Sequence, residues 1–432
     1  MKEIVKYIIS FLLGEQNSYL VNQIEYTNNS KAKIVIVPSR FFDDDVYMTQ
    51  ASMPQMPLDE IDGVPLLFGN KQIVWDNQRL VISADIIAST FFLITRYEEY
   101  INHKDRDEYG RLKGLRSFPY QAGFLMRPIV DEYGRLLRKW LRRVGFYVEE
   151  PLNNYNHVYL THDVDQIWKV KNLYLALRMA CGKIIRHEED KYESIKLWYN
   201  YKRYDEIYTF PWLIKMDQDV KQYLGKDICT DIYFIEAGGR SEYDIPYYKN
   251  IFRVKDLIQL LKKNGAVIGI HSSFSAGEKP EKVIKEKRRL EKISREAIRW
   301  NRHHYLCSRE PKDFEALIAA GITDDFTMGY ADVVGFRLGT CRAVKWINPL
   351  SKKVTSLTLH PLTVMECTLD SKKYMNLGEE AAYHMIYKML KNCKQFHGEV
   401  VLLWHNSTVC ISESSYQRRM YEKTLKLLKT DI

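Results

Sequence analysis

Apolar positions along this chain follow two periods, and their alternation sets the first expectation for the fold. Lys33-Ile34-Val35-Ile36-Val37 is a β-branched run stopped by Pro38-Ser39, which reads as a buried strand, and Gln72-Ile73-Val74-Trp75 reads as a second. Asp85 then stands as N-cap of a helix over 86–100, where Ile87, Phe91, Ile94 and Tyr97 recur near 3.6 residues and predict one buried face. The stretch Asp105-Arg106-Asp107-Glu108-Tyr109-Gly110-Arg111 is too polar to bury and reads as a loop. Pro128 opens a helix to about Arg143; Val144-Gly145-Phe146 ends it and Pro151 lies beyond, so a boundary is placed near residue 150.

Beyond that boundary the alternation is regular. Strands are expected at 156–160, 231–235, 266–270, 302–306 and 399–404, and helices at 254–263, 281–300, 313–320 and 379–392. Strands alternating with helices imply a parallel sheet or barrel. The expectation is an α/β chain: a smaller α/β domain over 1–150, then a second domain over 151–432 with a helical insertion at about 169–225. The insertion is basic and aromatic, with Tyr174, Trp198, Tyr199, Tyr201, Tyr204, Tyr208 and Trp212. Those rings either pack it onto the domain or make a wall over a sugar-binding groove.

Composition narrows the partners. With 432 residues, 46% hydrophobic and 28% charged, the chain has material for a large core. The net charge of +9 comes from Lys and Arg spread over many segments, with no dense tail and no nucleic-acid motif. It points away from nucleic acid and weakly towards an acidic partner, such as a nucleotide-linked or membrane-linked sugar. Seven Cys, an odd number without CxxC spacing, read as free thiols in a reducing compartment. The apolar run from Tyr7 to Leu13 is too short to span a bilayer and precedes no cleavage site, so it reads as an amphipathic first helix of a cytoplasmic protein without a transmembrane segment.

Candidate chemistry lies where strands end. Asp163 and Asp165 close the first strand of the second domain two residues apart, and in extended backbone they point to one side. Two carboxylates so close call for a cation, unless Asp165 simply caps the next helix. His271 follows another strand and His405-Asn406 a third. In parallel α/β folds chemistry gathers at the C-terminal strand ends, which favours one shared site. In Arg302-His303-His304-Tyr305, alternation puts Arg302 and His304 on one face and His303 on the other. Arg337, in the Gly-rich segment 324–340, offers a fork for a substrate carboxylate or phosphate, or ties the loop to Asp325 or Asp332.

These motifs resemble the polysaccharide deacetylase family (NodB homology, carbohydrate esterase family four) over about 156–410. Thr161-His162-Asp163-Val164-Asp165 stands for its Thr-Phe-Asp-Asp-type motif, and His271-Ser272-Ser273-Phe274-Ser275 for His-Ser/Thr-x-x-His. Arg302-His303-His304-Tyr305 matches Arg-x-Pro-Tyr loosely, and Leu403-Trp404-His405 matches the closing Leu-x-His. The resemblance implies a distorted (β/α) barrel of fewer than eight strands, a divalent metal, most often zinc, and removal of an N-acetyl or other N-acyl group from a sugar in surface polysaccharide metabolism. Carried over, Asp163 is the base and His405 the acid, with Arg302 beside them. Asp165 and His271 are metal ligands, and Tyr305, Ser275 and Arg337 are expected against substrate. The sequence departs in two places: Val164 replaces the second Asp, so the ligand role shifts to Asp165. Ser275 replaces the second His, and His304 is expected to supply the missing nitrogen. A silent relative that binds glycan or protein is the alternative.

Overall fold

The computed structural model describes the chain apart from residues 29–30, 77–78, 171, 240, 245–250, 310, 411–414 and 431–432. The early apolar runs form strands β1 (Ile24–Tyr26) and β2 (Ile34–Ile36), the hairpin β3 (Asp59–Ile61) and β4 (Val64–Leu66), and strands β5 (Gly69–Asp76) and β6 (Arg79–Ala84). β1, β2, β6 and β5 make one sheet in that order, antiparallel only at the last pair. The amphipathic helix Lys2–Leu13 buries Ile4, Ile8, Ile9, Leu12 and Leu13. It packs closely on the helix Ile129–Arg143, where a Cβ on Gly134 would stand 2.5 Å from the Leu12 carbonyl oxygen.

The expected helix over 86–100 is two helices, Ile86–Ile94 and Tyr97–Ile101, broken where Arg96 turns left-handed (φ 52°). All nine residues of the first are buried, not one face, because it is packed by the helices Lys2–Leu13 and Ile129–Arg143 and by the later strand Val344–Asn348. Asp85 caps it, accepting from the Ala88 amide at 2.9 Å.

The remaining strands are β7 (His157–Val164), β8 (Cys229–Ile235), β9 (Val267–Ser272), β10 (Trp300–His303), β11 (Asp324–Asp325), β12 (Val344–Asn348), β13 (Lys353–Leu359), β14 (Val364–Met365) and β15 (Glu399–Leu403). They form a nine-stranded sheet in the order β12-β13-β11-β10-β9-β8-β7-β15-β14, more strands than the expected fewer than eight. Every neighbouring pair is parallel except β12 with β13. The sheet curls into a half-barrel, so side chains from strands far apart in that order meet inside. Phe326, just past β11, packs on Tyr159 of β7 and Phe234 of β8 with ring centroids 5.1 and 5.6 Å apart. His360, just past β13, bonds Glu399 of β15 at 2.7 Å and Asp324 of β11 at 3.0 Å.

Residues 145–156 link the two parts without helix or strand, yet one apolar core runs from Ile4 through Trp140 and Trp346 to Leu428. The insertion folds as the helices Leu173–Ile185, Glu193–Tyr199, Tyr201–Tyr204 and Phe210–Leu224. Tyr201 and Tyr208 are buried with Trp168 and Phe210, while Tyr174, Tyr199 and Tyr204 face outward. Among the described residues no helix is long and apolar enough to cross a membrane.

Candidate metal centre

The end of β7 sorts its side chains by alternation. His162 points outward and is buried, with Nδ1 at 2.8 Å from the Trp404 carbonyl and Nε2 at 2.9 Å from Asp217. Asp163 points into the half-barrel. Val164 is fully buried in the apolar core, and Asp165, just past the strand, reaches back towards the site. Its Oδ1 lies 3.3 Å from His271 Nε2 and 3.7 Å from His304 Nε2, and its Oδ2 lies 3.6 Å from His405 Nε2.

One ligand atom from each of Asp165, His271 and His304 lies within 4.8 Å of the others. Tetrahedral zinc with bonds of about 2.0–2.2 Å spaces its ligands about 3.3–3.6 Å apart, close to the separations here. His271 Nδ1 donates to the Arg302 carbonyl at 2.9 Å, which leaves the Nε2 lone pair facing Asp165, the tautomer a metal ligand needs. Asp165 Oδ1 and His271 Nε2 are buried and have no hydrogen-bond partner in the structure. Two orphaned polar atoms facing each other are costly unless a cation bridges them, so the donor set fits a divalent ion.

Asp163 flanks this group. Arg302 Nη1 donates to Asp163 Oδ1 at 2.9 Å and to the Thr161 hydroxyl at 2.7 Å, and Arg302 Nε donates to the Phe326 carbonyl at 3.0 Å. The guanidinium is wholly buried over the Phe234 ring. Burial pushes the Asp163 carboxyl up, but Arg302, His271 and His405 outweigh it and hold it below the ordinary range. On the other flank, His405 Nδ1 bonds Glu366 Oε1 at 2.6 Å, and the same oxygen accepts from the His405 amide at 3.0 Å. Burial pulls the His405 imidazole down, yet the Glu366 carboxylate, helped by Asp165, raises it well above its usual value.

His304 joins the site from a different local structure than expected. Strand β10 stops at His303, and His304 opens a tight turn in which Tyr305 and Leu306 are left-handed. His303 faces away, 4.0 Å from Asp313, and burial drives its imidazole down to about 4. His304 Nδ1 stands 3.9 Å from both Glu236 and Asp244, two carboxylates that sequence reasoning missed.

Three expected substrate residues are placed as follows. Ser275 is buried and donates its hydroxyl to Asp244, which also accepts the Phe274 amide at 2.7 Å, so it supports the carboxylate beside His304. Arg337 is buried, bonding both oxygens of Glu99 at 2.9 and 2.8 Å and the Gly329 carbonyl at 2.8 Å. These bonds run to neither Asp325 nor Asp332 but to Glu99 and Gly329 in the core. Tyr305 stacks on Tyr109 at 4.8 Å, with Tyr243 and Phe274 edge-on. Tyr109 belongs to the segment expected to be too polar to bury. Arg111 is buried there because Asp107 neutralises it at 2.8 Å and the Tyr305 carbonyl accepts from it at 2.8 Å.

Glu366 was also missed; it directly follows β14 and opens the short helix Glu366–Asp370. A two-residue strand leaves too little pattern to read.

Comparison with known proteins adds little to this geometry. Residues 1–145 match a family model described as a family of unknown function, DUF7033. No curated protein matches the chain. Among solved structures, it is similar to a putative polysaccharide deacetylase from Mycobacterium smegmatis at 12% identity and TM-score 0.40, over 66% of this chain and 87% of that one. It is also similar to a mutant of a CE4-family pseudoenzyme with restored enzymatic activity, at 11% identity and TM-score 0.30, over 65% of each chain. Likeness at this level fixes neither activity nor substrate.

Proposed function

We propose that the protein is a metal-dependent hydrolase that removes an N-acyl group, acetyl in the simplest case, from a sugar of a surface polysaccharide or its precursor. The observation that carries this reading is the convergence of three kinds of group at one end of the sheet. There is an N,N,O ligand set, a carboxylate clamped by a guanidinium, and an imidazole backed by a carboxylate. Asp165, His271 and His304 would hold the ion, and nitrogen and carboxylate donors in this number suit zinc. When bound, such an ion acidifies water and polarises an amide carbonyl.

The chain's own residues then divide the proton work. Asp163, kept ionised chiefly by Arg302, is the base that takes a proton from the attacking water. His405, kept protonated by Glu366, is the acid that gives a proton to the amine as the C–N bond breaks. Arg302 acts through Asp163 as a positioning residue. The rings of Tyr305 and Tyr109 offer an apolar wall for a sugar face.

A second reading, a silent module that binds glycan or protein, draws on one observation: Ser275 fills the place of an expected histidine and is spent on Asp244. Metal content of the purified wild type and of Asp165→Ala, followed by acetate release from N-acetylglucosamine oligomers, separates the two. About one ion per chain, absent in the variant, with acetate released by wild type alone, supports the hydrolase. No stoichiometric metal after soaking in zinc, cobalt or nickel, and no acetate, leaves the binding module.

A further inference from the structure

The helix Leu173–Ile185 presents its larger apolar side chains to solvent. It buries Ala176 and Ala180, with Ser194 of the next helix donating to the Ala176 carbonyl at 2.8 Å. Beside that buried edge lie the half-exposed Leu173, Leu177 and Ile184, and further round the helix Tyr174 and Ile185, exposed at 74% and 77%. Tyr199 of the neighbouring helix is also exposed, at 82%. Single exposed apolar residues are ordinary, but a contiguous strip marks a contact surface.

The surroundings of the strip select what it contacts. Residues 169–204 hold nine Lys or Arg against four Asp or Glu. Lys183 pairs with Glu193 and Arg186 with Glu188, while Arg178, Lys191, Lys196 and Arg203 are exposed and make no ion pair among the described residues. Exposed apolar side chains on a helix in a segment with this excess of cations match the interface of an anionic bilayer, where the side chains enter the headgroup boundary and the cations meet lipid charge. The helix follows within a few residues of Asp165, at the end of the sheet that carries the candidate metal centre.

We infer that the Leu173–Ile185 face docks the protein onto an anionic membrane surface, with the mouth of the site held close to the lipid headgroups. This inference stands on the surface alone and is independent of the hydrolase reading, because its readout is binding.

The test is sedimentation of the full chain with vesicles of phosphatidylcholine alone or mixed with phosphatidylglycerol, for wild type and for the double variant Leu177→Glu/Ile185→Glu. Both positions are exposed, so circular dichroism should be unchanged. The expected result is binding to the mixed vesicles only, weakened by salt, and about tenfold or more weaker in the variant. Failure of wild type to bind mixed vesicles overturns the inference. So does equal binding by the variant, which assigns attraction to the chain's general positive charge. A variant that instead turns a dimer into a monomer in sedimentation velocity, with vesicle binding unaltered, overturns it in favour of self-association.

Discussion

Replacing Arg337 with glutamine distinguishes a structural from a substrate role for the Gly-rich segment. Arg337 and Glu99 are both buried and joined by two bonds, at 2.9 and 2.8 Å, and Glu99 also faces Arg96 and Arg106 at 3.5 Å each. Burial pushes the Glu99 carboxyl up, but the guanidiniums, Arg337 foremost, bring it from 4.5 down to about 2. A carboxyl whose folded pKa is depressed contributes stability above its unfolded value and loses it as pH falls through the folded one. For Glu99 that window runs from pH 4.5 to about 2. A gap of this size is worth about 3 kcal/mol at neutral pH. Breaking a buried pair by removing one partner costs about 3–5 kcal/mol, and here Arg96 and Arg106 still face the orphaned carboxylate, which favours the lower end. Urea unfolding at neutral pH, followed by fluorescence of the buried Trp140, Trp346 and Trp404, should therefore give a loss near 3 kcal/mol. The extra acid sensitivity of wild type over the variant should fall in the same window. An unchanged midpoint together with a raised KM for an acylated sugar would refute the reasoning and put Arg337 against substrate.

Further predictions follow from the same contacts. Burial lowers the His360 imidazole, but Glu399 and Asp324 raise it from 6.5 to about 9, so its contribution is complete below pH 6.5 and is lost as pH rises through about 9. Urea midpoints across that range should show wild type losing about 3 kcal/mol more than His360→Gln. Elemental analysis of two neighbouring substitutions should diverge: His304→Gln loses the metal, while His303→Gln, altered on the face towards Asp313, retains it. Glu366→Gln removes the charge that keeps His405 protonated, so kcat should fall about 100-fold or more and the basic limb of the rate profile should move to lower pH with metal content intact. A basic limb that stays in place removes the pair from the acid role.

What the sequence reveals of this molecule depends on range. Asp163, Asp165, His271 and His405 each close a strand whose apolar run is long enough to recognise, and parallel topology brings those ends together without further information. His304 was reached by assuming that β10 continues through it. The strand stops one residue earlier, and the following turn delivers the ring to the same side. Glu99 with Arg337 and Glu366 with His405 were beyond reach for different reasons. The first pair is separated by 238 residues, and no local period marks it. The second hangs on a strand of two residues. The helix 86–100 was misjudged because a run buried on every side still satisfies a one-face pattern, and nothing local marks the left-handed Arg96.

The turn at His304 ties the segment 107–111 to the candidate site. Tyr305 and Leu306 have φ of 59° and 53°, a region that costs residues bearing a Cβ about 1–2 kcal/mol each. Contacts from outside the turn must hold it, and besides the Tyr243 and Phe274 rings they come from the segment 107–111. Arg111 donates to the Tyr305 carbonyl at 2.8 Å, Tyr109 stacks on the Tyr305 ring, and the Cys307 thiol donates to the Tyr109 carbonyl at 2.8 Å. Asp107 fixes Arg111 in turn. None of the proposed metal ligands lies in this part of the chain, yet it sets the orientation of the turn that carries one of them, His304. Arg111→Ala should therefore lower metal affinity about 10–100-fold, the range for losing a group that orients a ligand. Zinc titration against a competing chelator reads this directly. His303→Gln serves as the control for a buried change beside the turn that leaves the clamp whole. If Arg111→Ala binds zinc as wild type does, the turn holds itself and the first 150 residues only cover the core.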